Sequence, residues 1–199
     1  ILSGIEISYK LDTLNESVIS SSREQGMRII AQMSKTIDDF KNFFRADKNY
    51  VTCTISDVVD QALSIIEPTI KSKGIIINLY SLENSKIYCL KNELSQVIVN
   101  ILANSMDAIV ENRIENGEIS ISMENKNNNS IILIGDNAGG INSDIIEKIF
   151  EPYFTTKEEN SGTGIGLYMS KIIIEKHMKG KLEVENSLLG ASFKISIPN

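Results

Sequence analysis

Soft metal ligands and histidines are scarce in this sequence: two cysteines, Cys53 and Cys89, and one histidine, His177, stand among 199 residues. The cysteines match no metal-binding spacing and sit in apolar contexts, so they read as buried, reduced thiols. No window approaches the roughly 18 consecutive apolar residues of a membrane span, and no membrane contact is expected. A basic surplus is missing too. With 26 acidic against 20 basic side chains, a net charge of −6, the chain is poorly matched to nucleic acid. The acids are dispersed, as suits solvation. No repeat, low-complexity tract or secretory leader is visible, and a cytoplasmic location is the expectation.

What is present divides in two. From Arg23 to Arg45 the apolar residues Met27, Ile30, Met33, Ile37, Phe40 and Phe44 recur every three or four positions, one stripe on a long helix. Such a face is too long to stay exposed and needs a partner helix. Before it, Ile1 to Leu14 is read as a further helix, because a lone strand there has nothing to pair with. The chain starts on an apolar residue, as an element cut in its middle does. The polar run ADKNY at 46–50 breaks the period. We place the domains at 1–47, a partial helical hairpin, and 48–199.

Beyond the boundary, strands and helices mix. Val51–Ile55 reads as a strand, Ser56 as an N-cap, and Val58 to Ile66 as a helix that Pro68 disturbs and Gly74 ends. Strands follow at Ile75–Tyr80 and Ile87–Leu90, then a helix from about Asn92 to Arg113 with Leu94, Ile98, Ile101, Leu102 and Ile109 on its apolar side. Glu118–Glu124 and Ile131–Ile134 flank a turn at Asn127–Asn129. Ser143 is placed to cap a short helix ending at Phe150. A helix closed by Gly180 and a hairpin of Leu182–Glu185 with Phe193–Ile197 complete the chain. The expected class is α+β: a helical hairpin, then a two-layer sandwich with helices on one face of a single mixed sheet.

Three features carry chemistry. Asn100, Asn104 and Asp107 fall at i, i+4 and i+7 of one helix, a narrow polar ridge opposite its apolar face. It is either a solvated face or, since asparagine favours helices poorly, a pair of amide oxygens offered to a hard cation such as Mg²⁺. DNAGGI at 136–141 places a carboxylate where a buried strand becomes a glycine turn. There Asp136 either closes an Asx-turn or accepts from a purine amino group. Gly162, Gly164 and Gly166 alternate just before a helix. They match neither G-x-G-x-x-G nor a P-loop, because the third glycine comes one residue early and no Lys-Ser or Lys-Thr pair follows.

Taken in order, NILANSMDAI, DNAGGI, FEPYFTTK and GTGIGL resemble the N, G1, F and G2 boxes of the sensor histidine kinases, whose ATP-binding domain has the GHKL fold. MSKTIDDFKNFF resembles the second helix of their dimerisation and phosphoacceptor hairpin. The resemblance implies ATP and Mg²⁺ as cofactors, with Asn104 the metal ligand and Asn100 its polar neighbour facing phosphates. It also implies Asp136 as acceptor for the adenine amino group, with Ala138, Gly140 and Ile141 around the base. Phe150 and Phe154 would anchor a lid carrying Thr156 and Lys157, and Gly162, Thr163, Gly164, Ile165, Gly166 and Leu167 would line the triphosphate. Two departures stand out. Ala138 replaces the commonest glycine, and Asp107 lies where many members place a basic residue, which leaves Lys157 as the leading cationic contact. The implied catalytic set is Asn100, Asn104 and Lys157. The implied partners are a second copy, joined through the N-terminal helices, and a response-regulator receiver domain.

His177 lies in the last helical turn before Gly180, where a partial positive charge suits the helix end. It reads as structural. The family's phosphoacceptor lies upstream of the MSKTIDDF helix, so this chain is expected to lack its own acceptor. A GHKL hydrolase of the chaperone, repair or topoisomerase kind uses a glutamate base at the place of Asn100, and an amide cannot deprotonate water. A nucleotide-binding module without turnover is the other alternative.

Overall fold

The structure is a computed structural model that describes residue 9 and residues 16–43, 49–82, 85–157 and 162–199. The chain packs as two compact units, one of residues 1–46 with 156–163 and one of residues 47–155 with 164–199.

In the first unit, helix α1 runs from Glu16 to Phe43 over 28 residues. It starts before Arg23 because Ser20–Ser22 and Gly26, poor helix formers, each cost only about 1 kcal/mol or less and do not stop it. Of the predicted stripe, Met27 and Ile30 are 62% and 60% exposed. The side chains of Met33, Ile37 and Phe40, residue Phe44 and the helix read over Ile1 to Leu14 lie outside the described set.

The second unit opens with β1 (Val51–Thr54) and α2 (Ile55–Ser72). Thr54, not Ser56, is the N-cap: its hydroxyl accepts from the Asp57 N–H at 3.2 Å while the Asp57 carboxylate accepts from the Thr54 N–H at 3.0 Å. An acid three residues after Thr54 completes a capping box that Ser56 cannot form. Those bonds from Thr54 hold the Asp57 carboxyl below the usual carboxylate range. Pro68 sits inside α2 without ending it, and Gly74 turns the chain away at φ +72°.

There follow β2 (Ile76–Leu82), β3 (Lys86–Cys89), α3 (Lys91–Glu111), β4 (Glu118–Lys126) and β5 (Asn129–Asp136). After a 3₁₀ turn at Lys148–Phe150 come α4 (Gly166–Ile172), a π-helical turn (Ile173–His177), β6 (Lys181–Asn186) and β7 (Ala191–Pro198). Asn127 and Asn128 both take positive φ in the β4–β5 hairpin, as a two-residue turn of this hand requires. Ser143 caps no helix. The Asn142 side chain instead accepts from the Asp144 N–H at 2.9 Å, a local turn that competes with helix, and only the 3₁₀ turn forms.

The main sheet has the order β2-β4-β5-β7-β6, with β2 parallel to β4 and the other pairs antiparallel. It is not the single sheet expected. The four-residue strands β1 and β3 form a separate antiparallel ribbon, meeting their backbone hydrogen bonds on each other. Along β4 and β7, and along β5 from Ile132 on, buried residues alternate with partly exposed ones, so Ile119, Ile121, Ile132, Ile134, Phe193 and Ile195 point to one covered face. Helix α3 packs on β4 and β5 and meets α2 and α4 at its flanks, which sets one polar edge of α3 above the end of β5.

Candidate active site

The apolar stripe of α3, from Leu94 through Ile98, Ile101 and Leu102 to Ile109, lies buried against the sheet. That packing turns Asn100, Asn104 and Asp107 to the opposite side, yet none of them is fully solvated: each is half-buried. Part of the cover is α4. The Asn100 amide donates to Ser170 Oγ at 3.4 Å and accepts from Gln96 Nε2 at 3.4 Å. A Cβ on Gly166 would stand 3.9 Å from that amide, so the first turn of α4 runs directly beside the ridge. The Asn104 amide makes no hydrogen bond with any described residue. Asp107 interacts with another group of the protein.

One residue past Asn104, the helix turns back to its buried side at Ser105, which is 2% exposed. Its hydroxyl donates to Asp136 Oδ2 at 3.0 Å. The other carboxylate oxygen, Oδ1, accepts from the N–H of Ala138 at 3.0 Å and of Ala191 at 3.1 Å. Asp136 therefore closes an Asx-turn, and the turn leaves one side of Oδ2 for a further donor. Asp136 as a whole is 9% exposed. A Cβ on Gly190 would fall 2.2 Å from the Asp136 carbonyl oxygen and 2.4 Å from Oδ1, so only glycine lets β7 begin so close.

The rest of the turn is clamped from both sides. Asn112, just past α3, donates to the Ala138 carbonyl at 2.7 Å. Asn186, at the end of β6, accepts from the Ile141 N–H at 2.8 Å and donates to its carbonyl at 2.6 Å. Gly140 lies under that amide at φ +86°, where a Cβ would be 2.8 Å from Asn186 Oδ1. Ser105, Asn112, Asn186 and Gly190 were all missed from the sequence. Only Ser105 carried a signal, as a hydroxyl on the buried stripe that has to find a partner.

The remaining predicted residues divide between the units. In the second, Gly164 takes φ +63° and its carbonyl accepts from the Tyr153 N–H at 2.9 Å. A Cβ there would strike Tyr153 backbone at 2.4 Å. Ile165 and Leu167 are half-buried at the start of α4. Lys171 Nζ stands 4.6 Å over the Phe150 ring, which joins the 3₁₀ turn to α4, and Phe154 is half-buried beyond it. In the first unit, Lys157 and Gly162 are half-buried while Thr156 and Thr163 are exposed. His177 ends the π-helical turn, its Nδ1 2.9 Å from Glu93 Oε2 and its carbonyl accepting from the Tyr50 hydroxyl. Those contacts account for it structurally.

The model of one protein family, described as histidine kinase-, DNA gyrase B-, and HSP90-like ATPase, matches residues 89–199. The chain belongs to this family. Sensor histidine kinase ZraS of Salmonella typhimurium is 33% identical over 150 residues, 74% of this chain and 31% of that protein. Sporulation kinase D of Bacillus subtilis is 30% identical over 155 residues, 73% of this chain and 28% of that one. Among solved structures, the catalytic domain of histidine kinase ThkA superposes with a TM-score of 0.67 at 27% identity, covering 75% of this chain and 95% of that domain. The chain thus carries the ATPase-type nucleotide-binding fold of the family, and it spans about a third or less of the length of those curated relatives. No helix among the described residues is long and apolar enough to cross a membrane.

Proposed function

We propose that this chain is the ATP-binding catalytic part of a two-component histidine kinase. It passes the γ-phosphoryl group of ATP to a histidine outside these 199 residues, and a response-regulator aspartate takes it from there. One observation supports this most strongly. Ser105, next to Asn104 on α3, donates to Asp136, which joins the helix bearing the amide proposed for the cation to the carboxylate proposed for the base.

The donor set fits Mg²⁺ held largely by the nucleotide. No group of three or more His, Cys, Asp or Glu side chains gathers among the described residues, so no all-protein cage exists there. An amide oxygen at Asn104 with no partner among the described residues suits a metal that keeps phosphate and water as its other ligands. Held at Asn104, Mg²⁺ would supply charge neutralisation for the transferring phosphoryl group. Asn100 steadies the phosphate side of the ridge through Ser170. Asp136 Oδ2 accepts from the adenine amino group, and Ala138, Gly140 and Ile141 hold the turn flat against the base. Lys157, Gly162 and Thr163 are assigned to the triphosphate, and Phe150 and Phe154 to the lid anchor, by motif resemblance alone. Asn100 offers no base for water, which favours transfer over hydrolysis.

Partners follow the same reading. Exposed Ile19, Met27 and Ile30 on α1 support pairing with a second copy. Histidine kinase ThkA, similar in fold, has been solved with response regulator protein TrrA, which supports a receiver domain as the later acceptor. The test is direct. ATP should bind more tightly with Mg²⁺ than with EDTA in calorimetry. With radiolabelled ATP the chain should place acid-labile, base-stable phosphate on an added histidine-bearing hairpin and none on His177. Equal affinity under both conditions, or label on His177, would refute the reading.

A further inference from the structure

We propose that Cys53 and Cys89 are an oxidisable dithiol that a peroxide-class oxidant closes into an intramolecular disulfide. In the β1–β3 ribbon, Cys53 pairs with Ile87 and Val51 with Cys89. The two cysteines are therefore diagonal neighbours on one face of the ribbon. Their Sγ atoms are 3.5 Å apart. A disulfide needs about 2.05 Å, so closure asks for about 1.5 Å of approach between two short strands that lie outside the main sheet. No third thiol exists in the chain to compete.

The two sulfurs are unequal, and the inequality sets the order of events. Cys89 is fully buried, and burial, then its hydrogen bond with Cys53, pushes its thiol up to about 12. It is shielded from solution oxidant and gives up its proton only as it reacts with the neighbouring sulfur. Cys53 is half-buried and is the sulfur an oxidant reaches first. Hydrogen peroxide oxidises Cys53 to the sulfenic acid and leaves as one water. Cys89 sulfur then attacks the Cys53 sulfur, the S–O bond breaks, and the hydroxyl departs with the Cys89 proton as a second water. Two thiols lose two electrons and two hydrogens, and the peroxide gains them. The link ties β1 to β3, the strand that leads into α3, and encloses α2 and β2 in the loop. A loop of that length should raise Tm by about 5–15 °C.

One equivalent of hydrogen peroxide, applied to the native chain before alkylation in denaturant, tests this independently of any nucleotide. Both thiols should become unavailable, the mass should fall by two hydrogens, and digestion should yield one Cys53–Cys89 cross-linked peptide that dithiothreitol splits. Cys89→Ser should trap Cys53 as a sulfenic acid reactive to dimedone. Two thiols still open to alkylation, sulfinate on Cys53 beside a free Cys89, or a link between separate chains would each overturn the proposal. The wild-type measurement suffices should a variant fail to fold.

Discussion

The turn after β5 and the polar ridge of α3 are adjacent, and they treat their hydrogen-bonding groups in opposite ways. In the turn, Asp136 takes three protein donors, Ala138 is held at its carbonyl by Asn112, and Ile141 is held at both backbone groups by Asn186. On the ridge, among the described residues, the Asn104 amide has no partner and the Asn100 amide makes only long bonds of 3.4 Å. The difference tells which part is finished before a ligand arrives. A clamped turn loses little entropy on binding and can discriminate a base by one remaining acceptor. An open amide keeps its solvation until a cation with its own phosphates replaces the water.

The largest effect should come from the open side. Asn104→Ala removes an oxygen that nothing else in the ridge replaces, and transfer to an added histidine-bearing hairpin should fall by about 100-fold or more. The fold should not suffer, because no described residue bonds to that amide. Radiolabel transfer alongside thermal melting separates the two. A variant that melts early would show that the ridge is as structurally committed as the turn, which would end the contrast.

Gly190→Ala attacks the finished side from outside the ligand. Its Cβ would meet Asp136 backbone at 2.2 Å, and backbone cannot swing away as a side-chain tip does. We expect about 3 kcal/mol of destabilisation, the upper end for overpacking, read in urea melts. An unchanged midpoint would mean that the turn yields easily.

Asp136→Asn is gentler. The amide oxygen still accepts from Ala138 and Ala191, while the new NH₂ donates to Ser105 and no longer accepts from a purine. ATP affinity should drop about 5- to 150-fold, matching about 1–3 kcal/mol for an unmet partner. Calorimetry finding ATP bound as tightly as by the parent would remove the base assignment and leave Asp136 as the Asx-turn closer only.

How much of this was legible follows the same divide. Asn100, Asn104 and Asp107 share a side of α3 because 3.6-residue periodicity is a local property, readable from spacing. The DNAGGI turn was legible as a position but not as a structure. Asn112 and Asn186 reach it from 26 and 45 residues away, and no periodicity joins residues so far apart. The ribbon of β1 and β3 failed for that reason as well: strand identity is local, while the choice of partner strand is not. Thr54 displaced Ser56 as a cap through Asp57 three positions on, a pattern that was there to be read.

Ser105→Ala should give the smallest effect, and it tests whether the two sides are coupled at all. The hydroxyl joins the helix that bears Asn104 to the carboxylate of the turn, and it is one of three donors on Asp136. Its loss leaves Asp136 still held at Oδ1, so stability should fall by only about 1 kcal/mol. If the bond merely fills a buried position, ATP with and without Mg²⁺ should weaken by the same factor. If it fixes the spacing between metal ligand and base acceptor, the Mg²⁺-dependent part of the affinity should shrink as well, by about 5-fold, because metal and base can no longer be met at once without strain. Calorimetry on the variant, with Mg²⁺ and with EDTA, reads that ratio directly. An unchanged ratio would make the clamped turn and the open ridge independent neighbours on one fold.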